Sequence, residues 1–398
     1  MRGQIDAAIA DLIAFLEAEK FEGWEPYEIP VAFLESCHWH PLRVACTQLF
    51  RLSPFYFHTR LTAKKMHAKA AALFAQAFLT LYQLSGEPSF RDRATFYLDW
   101  LIAHRSSLSR NFSIGNQYPL SMKSYAASPG TPAPLITCLA IDAFLLAYEI
   151  FGEVKYLTLA ESGIHYFLEE LPLVKKSTEE WYFIYHPNNH QFIPNIPAVI
   201  SGTLAHGYVH LPEPAILPLV RHNLNCVVRA QQADGSWPYH PTARYTDSFH
   251  TAFILNGIAK FRCYVDPKAY AAPFQKGLQF YLKSFFNAKG RPRHKRCHGF
   301  PSNVDSLLTQ IDLRDCAMAL ILFSRLMAQQ QLGLELPSKV LNWATNHFRS
   351  AQGHFYYQRI PMVTIRGPFL SMQAWMLNAL SQLKYANDQI INKRSEEA

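Results

Sequence analysis

Apolar residues recur at i, i+3, i+4 and i+7 through "IDAAIADLIAFLEAE", "MHAKAAALFAQAFLTLYQLSG", "FRDRATFYLDWLIAHR", "PLITCLAIDAFLLAYEIFG" and "YLTLAESGIHYFLEEL". The same period returns in "IPAVISGTLAHGYVH", "ILPLVRHNLNCVVRAQQ", "DSFHTAFILNGIAKFRCYV", "YAAPFQKGLQFYLKSFF", "DLRDCAMALILFSRLMAQQ", "SKVLNWATNHFRSAQ" and "LSMQAWMLNALSQL". One face of an α-helix repeats in this way, so the spacing predicts about twelve helices, while strand-like alternation is scarce. Gly86, Gly152 and Gly333 stand where helix C-terminal caps are expected.

Short links between the segments predict antiparallel hairpins, such as 131–151 with 154–172. Hairpins in series form either an open solenoid or a closed ring of inner and outer helices. "PLITCLAIDAFLLAY" is apolar nearly all round, as an inner helix with neighbours on every side must be. The expected fold is therefore all-α, an (α/α)6 toroid of antiparallel helical hairpins with a pocket at one mouth. With 49% hydrophobic and 17% charged residues, and no Gly/Ser-rich or Pro-rich tract dividing the chain, one domain over 1–398 is expected, with a flexible tail from about 386.

The amphipathic, partly acidic start lacks the pattern of a signal peptide, and no uninterrupted apolar run reaches membrane-spanning length. The seven cysteines are odd in number and scattered, reading as reduced core residues, so a cytoplasmic location without a membrane span is expected. The net charge of +8 suits an anionic partner. Most cations are dispersed, and "RPRHKR" at 291–296 reads most simply as a solvated loop.

The densest chemistry lies in "QQADGSWPYHPTARYTDSFHTAF" at 231–253. Asp234-Gly235 makes a turn, Trp237 and Tyr239 follow, and Asp247 or Ser248 is placed to cap the next helix. Trp237 reads equally as a plane for a sugar or as a pin packed beneath the ring. Together with "GWEPYE", "PGTPAPLITCLAIDAFLLAYE", "IDLRDCAMALILFSRL" and "FYYQRIPMVTIRGPFLSMQAWMLNALSQL", the stretch resembles the VpsJ-like family of bacterial polysaccharide-biosynthesis proteins over nearly the whole chain. That resemblance implies a six-hairpin glycosidase-like toroid working on carbohydrate, with other polysaccharide-assembly proteins as partners. The chain departs from the family pattern at Asn116, Gln117, Ser121 and Met122, at Arg314 where a His is frequent, and at Ser371 and Met372.

Glycosidic hydrolysis uses a pair of carboxyl groups, and the acids near helix starts include Asp234, Asp247 and Asp312. Asp247 with His250 one turn later would make a proton-transfer pair, or Asp247 is a plain N-cap. Asp312 either joins the site or ion-pairs with Arg314. An epimerase or lyase would instead abstract the proton beside a sugar carboxylate, with Tyr118, Tyr125 or His250 as base and Arg314 as the neutralising cation. Sugar C–H faces suit aromatic planes, which makes Trp237, Tyr239, Tyr125 and Trp375 candidate contacts; His186 and Asn195, from the polar-aromatic run before a helix, would fix hydroxyls. The candidate catalytic set is thus Asp247, Asp312, His250 and Tyr118.

"CHWH" and Cys297-His298-Gly299 have the residue types of a zinc site, the latter resembling lanthionine cyclases, but no regular spacing assembles a ligand set, so no metal or cofactor is expected. No phosphate loop, nucleophile elbow or nucleic-acid module is present in the sequence. The expected function is acid/base chemistry on a sugar polymer by a hydrolase, lyase or epimerase. The rivals are a noncatalytic saccharide-binding scaffold and a toroidal peptide or terpenoid cyclase.

Overall fold

A computed structural model of the chain describes residues 1–28, 39, 41–46, 62–122, 125–178, 180–185, 191–297, 310–360 and 363–396. Twelve helices build its ring: α1 (Arg2–Ala18), α2 (Ala68–Ser85), α3 (Pro88–Ala103), α4 (Pro134–Phe151), α5 (Val154–His165), α6 (Asn195–Tyr208), α7 (Ile216–Arg229), α8 (Ser248–Tyr264), α9 (Ala271–Phe285), α10 (Leu313–Ala328), α11 (Glu335–Phe348) and α12 (Leu370–Glu396). The even-numbered helices stand inside, each packed on the next, and α12 returns to α2 to close the circle. Each inner helix pairs with an outer one: α2 with α3, α4 with α5, α6 with α7, α8 with α9 and α10 with α11. The sixth hairpin joins α12 to α1, so its two helices come from opposite ends of the chain.

Burial follows this arrangement. Thirteen of the sixteen α10 residues and most of α2 and α4 are buried, as the all-round apolar pattern requires, whereas α7 and α11 bury one stripe. Inner helices approach closely where glycines face each other: a Cβ on Gly257 of α8 would stand 2.1 Å from the Ala198 carbonyl of α6. Gly86 and Gly152 cap α2 and α4 in the left-handed conformation, as expected. Gly333 does not; after α10 the left-handed residue is Gln330, with φ 58°.

Among the described residues, four small antiparallel sheets decorate the ring. Two feed inner helices directly: Tyr245–Asp247, paired with Lys295–Cys297, runs into α8, and Ile311–Asp312, paired with Gln358–Ile360, runs into α10. α4 is long and apolar enough to cross a membrane by length and composition, but its surface is spent on α2, α5 and α6. α12 continues as helix past 386, with Ala386 and Asn387 buried and Asp388 paired to Arg2. Among the cysteines, Cys138, Cys226 and Cys316 are buried free thiols, while Cys263 is exposed rather than in the core.

Candidate active site

All six inner helices point their N-terminal turns at one cavity of about 280 Å³. Lys69 of α2, Pro134 of α4, Asn195 of α6, His250 of α8, Arg314 of α10 and Met372 of α12 all reach it. Each helix start carries the positive end of a peptide dipole, so six of them around one hollow favour negative charge within it. The floor is an edge-to-face cluster of Phe249, Phe253 and Trp375, with ring centroids 4.7 to 6.0 Å apart. Among the described lining residues Asp247 is the one carboxylate, against the cations Lys69, Lys295 and Arg314.

Asp247 ends its strand in extended conformation and caps α8, its Oδ1 accepting from the His250 backbone N–H at 2.8 Å. The same carboxylate lies 2.8 Å from the His250 ring Nδ1 through both oxygens. Burial alone would raise the Asp247 carboxyl, but the His250 charge and hydrogen bonds, with His294 behind them, hold it at about 2. An ionised Asp247 makes Nδ1 the donor, which leaves Nε2 of His250 as the nitrogen for substrate. The ring is fixed edge-on against Tyr239 at 4.7 Å and keeps a quarter of its side-chain surface exposed.

A second histidine–carboxylate pair stands beside the first. His294 lines the cavity, and its Nδ1 meets both Asp315 oxygens at 3.0 and 3.1 Å. Its carbonyl accepts from the Ser248 backbone N–H at 2.9 Å, tying this segment to the start of α8. Burial pushes the imidazole down, yet Asp315, with Asp312 and Asp247 beyond it, outweighs that and holds it above its ordinary 6.5. A raised histidine stabilises the fold fully below its unfolded value and loses that stabilisation as pH rises through the folded value. Thermal melts should therefore show stability declining above about pH 6.5, and His294→Gln should lessen that slope; an unchanged slope would take the pair out of the account.

Asp312 is fully buried and its oxygens are taken. It clamps Arg314 through Nε at 2.8 Å and Nη2 at 2.7 Å, caps α10 through the Arg314 N–H, and accepts from Gln358. Burial works to raise its carboxyl, and Arg314 more than reverses this, keeping it ionised below its ordinary value. It does not line the cavity but clamps Arg314, whose guanidinium lies over Phe249 at 4.8 Å.

The aromatic lining is mostly phenolic: Tyr27, Tyr118, Tyr125, Tyr185, Tyr239 and Tyr245. Burial pushes Tyr118, Tyr125, Tyr185 and Tyr239 above the ordinary phenol value, and lifts Tyr245 to about 12. These hydroxyls are thus neutral at neutral pH and face the cavity as hydrogen-bond donors. Asn195 lines the cavity with its Oδ1 buried and without a hydrogen-bond partner among the described residues, an acceptor suited to a ligand hydroxyl.

Two sequence candidates fall elsewhere. Trp237 is 2% exposed, donates its indole N–H to the Val227 carbonyl at 2.8 Å, and packs against Gly277 of α9, where a Cβ would stand 2.3 Å from the ring. It pins α9 to α7 and does not line the cavity. Asp234 closes its turn by accepting from the Ser236 N–H at 3.0 Å and borders a separate basic groove along α9. His186 lies outside the described residues, as does His298. Sequence reasoning missed Lys69, Lys295 and above all His294, which looked like part of a solvated basic run.

No family model matches the sequence, and no curated protein does. Solved structures share the fold. The cellobiose 2-epimerase of Spirochaeta thermophila superposes with a TM-score of 0.60 at 11% identity, covering 81% of this chain and 87% of that one. A family 76 α-mannanase of Bacteroides thetaiotaomicron gives 0.60 at 10% identity over 84% and 89% of the two chains. A family 88 glycosyl hydrolase of Bacteroides vulgatus gives 0.58 at 11% identity over 79% and 91%. The ring is therefore the (α/α)6 glycosidase-like toroid.

Proposed function

We propose that the protein binds an acidic sugar residue in this cavity and moves the proton on the carbon beside its carboxylate, as an epimerase or lyase does. The observation that carries the reading is the pairing of two cavity histidines with buried carboxylates in a hollow whose other charged groups, among the described residues, are cations. Nε2 of His250 would take the proton, with Asp247 holding Nδ1–H and stabilising the imidazolium as it forms. Lys69, Lys295 and Arg314 would hold the sugar carboxylate and the negative charge that spreads onto it. His294, or a neutral tyrosine, would return a proton from the other side or protonate a departing oxygen. Tyr239 and the aromatic floor would meet the C–H faces of the ring.

Hydrolysis by two carboxylic groups has less support, because Asp247 is held ionised against His250 and Asp312 is sealed behind Arg314. The toroidal neighbours include carbohydrate-acting enzymes, which supports a saccharide in the cavity. The VpsJ-like motifs add polysaccharide assembly in a bacterial cytoplasm, alongside other assembly proteins, as the setting of this reading.

The test is exchange. Incubated in D2O with uronate-containing polysaccharides, the protein should introduce deuterium at the carbon next to the carboxylate, seen by NMR, or generate the ultraviolet absorbance of an unsaturated uronate. Saturable binding with neither signal across such substrates would instead establish the noncatalytic saccharide binder.

A further inference from the structure

At the other end of the ring, three side chains converge that the sugar site does not use. Glu149 lies in the last turn of α4, His206 in the last turn of α6, and His210 four residues on in the turn that follows. Nε2 of His206 and Nε2 of His210 each stand 2.9 Å from Oε1 of Glu149, and all three atoms lie within 4.8 Å of one another. Glu149 follows Pro134, at the mouth, by fifteen residues of helix, which places the cluster about 20 Å from the cavity.

We propose that Glu149, His206 and His210 bind a divalent transition metal of the zinc class, clipping α4 to α6. Two imidazoles and a carboxylate are a common zinc set, with an open fourth position for water. Tetrahedral bonds of about 2.0–2.1 Å place ligand atoms roughly 3.3 Å apart, so the two Nε2–Oε1 contacts of 2.9 Å need to widen by only a few tenths of an ångström.

The surroundings fit a cation. Nδ1 of His206 faces Oδ1 of Asp142 at 3.4 Å, and Asp142 is itself held by Lys260 and by the Thr203 hydroxyl. A carboxylate on Nδ1 is the usual way to turn the Nε2 lone pair of a ligating histidine toward a metal. With Nδ1–H given to Asp142, Nε2 and the Glu149 oxygen face each other as two acceptors, and a contact of 2.9 Å between them requires a proton or a metal ion in between. The C-terminal ends of α4 and α6 both point here, adding their negative dipole ends. The His206 ring is fixed by stacking on Tyr264 at 4.5 Å and 12°, and His210 by an edge contact with Tyr148. Glu149 and His210 stay partly exposed, so an ion has a path in.

The test uses the full chain stripped with a chelator and titrated with Co2+, then with Zn2+ in competition. One equivalent of Co2+ should give the intense visible bands of a tetrahedral site and raise the melting temperature. Glu149→Gln and His210→Ala should each weaken uptake by at least about tenfold, with metal-free melts close to those of the parent. Should Glu149→Gln not fold, His210→Ala at its half-open turn carries the test alone. Three results would overturn the proposal: no uptake by the parent at micromolar metal, uptake by both variants as tight as the parent's, or loss of the bands only when the Glu161, His165 and Glu213 cluster is changed instead. None of these readouts depends on the sugar chemistry.

Discussion

His250→Ala is expected to lower turnover by about 10²–10⁴-fold, the usual contribution of a positioned proton-transfer group, with the protein still folded. The imidazole is a quarter exposed and lines the cavity, so its removal enlarges that hollow. The backbone N–H of residue 250 still bonds to Asp247, so α8 keeps its cap. Asp247→Asn should cost a similar factor for a different reason. An amide can still cap the helix, but it no longer carries the charge that fixes Nδ1–H and steadies the imidazolium. The two substitutions act through one unit, so the double variant should be scarcely worse than either single one. Steady-state rates on a uronate substrate check this; a fully active His250→Ala protein would remove the residue from the chemistry.

The largest expected effect on stability comes from Trp237→Ala, at about 3–5 kcal/mol. The ring is fully enclosed, and Gly277 exists without a side chain because the indole occupies that space. Alanine would leave a void between α7 and α9 and take from the Val227 carbonyl one of its two donors, the other being the Ala230 N–H. Urea unfolding should show the midpoint fall with little change in slope, while the activity of the folded fraction is retained, since the residue does not line the cavity. Loss of activity without loss of stability would return Trp237 to the sugar.

Much of the ring could be read from the chain, because helix period is local and an all-round apolar helix has few places to go. Position in the site could not be read so well. Trp237 and Tyr239 share one turn and one chemical character; only the neighbouring Gly277 sends the first into the wall. Asp247 and His250 were legible because cap and ring lie one turn apart. His294 was not, since its partner Asp315 lies 21 residues on and is reached only through the fold. Asp312 misled for the opposite reason: an acid at a helix start looks available, and its seal by Arg314 and Gln358 is a matter of burial. His206 and His210 show a helical spacing in "LAHGYVH", but Glu149 lies 57 residues before His206.

The sixth hairpin has a consequence for how the chain reaches this shape. α1 finds α12 only after more than three hundred intervening residues have been made, and Glu25, which accepts from the Ser371 N–H and hydroxyl, spans a separation of 346. Loop closure over such a length is slow, so the seam between first and last helix should be the final event of assembly. Until then the apolar side of α12 stands open to the α1 of another molecule. Exchange of that one helix between two chains would rebuild every contact of the seam, and domain-swapped dimers are the form in which misassembly should appear when the chain refolds at high concentration.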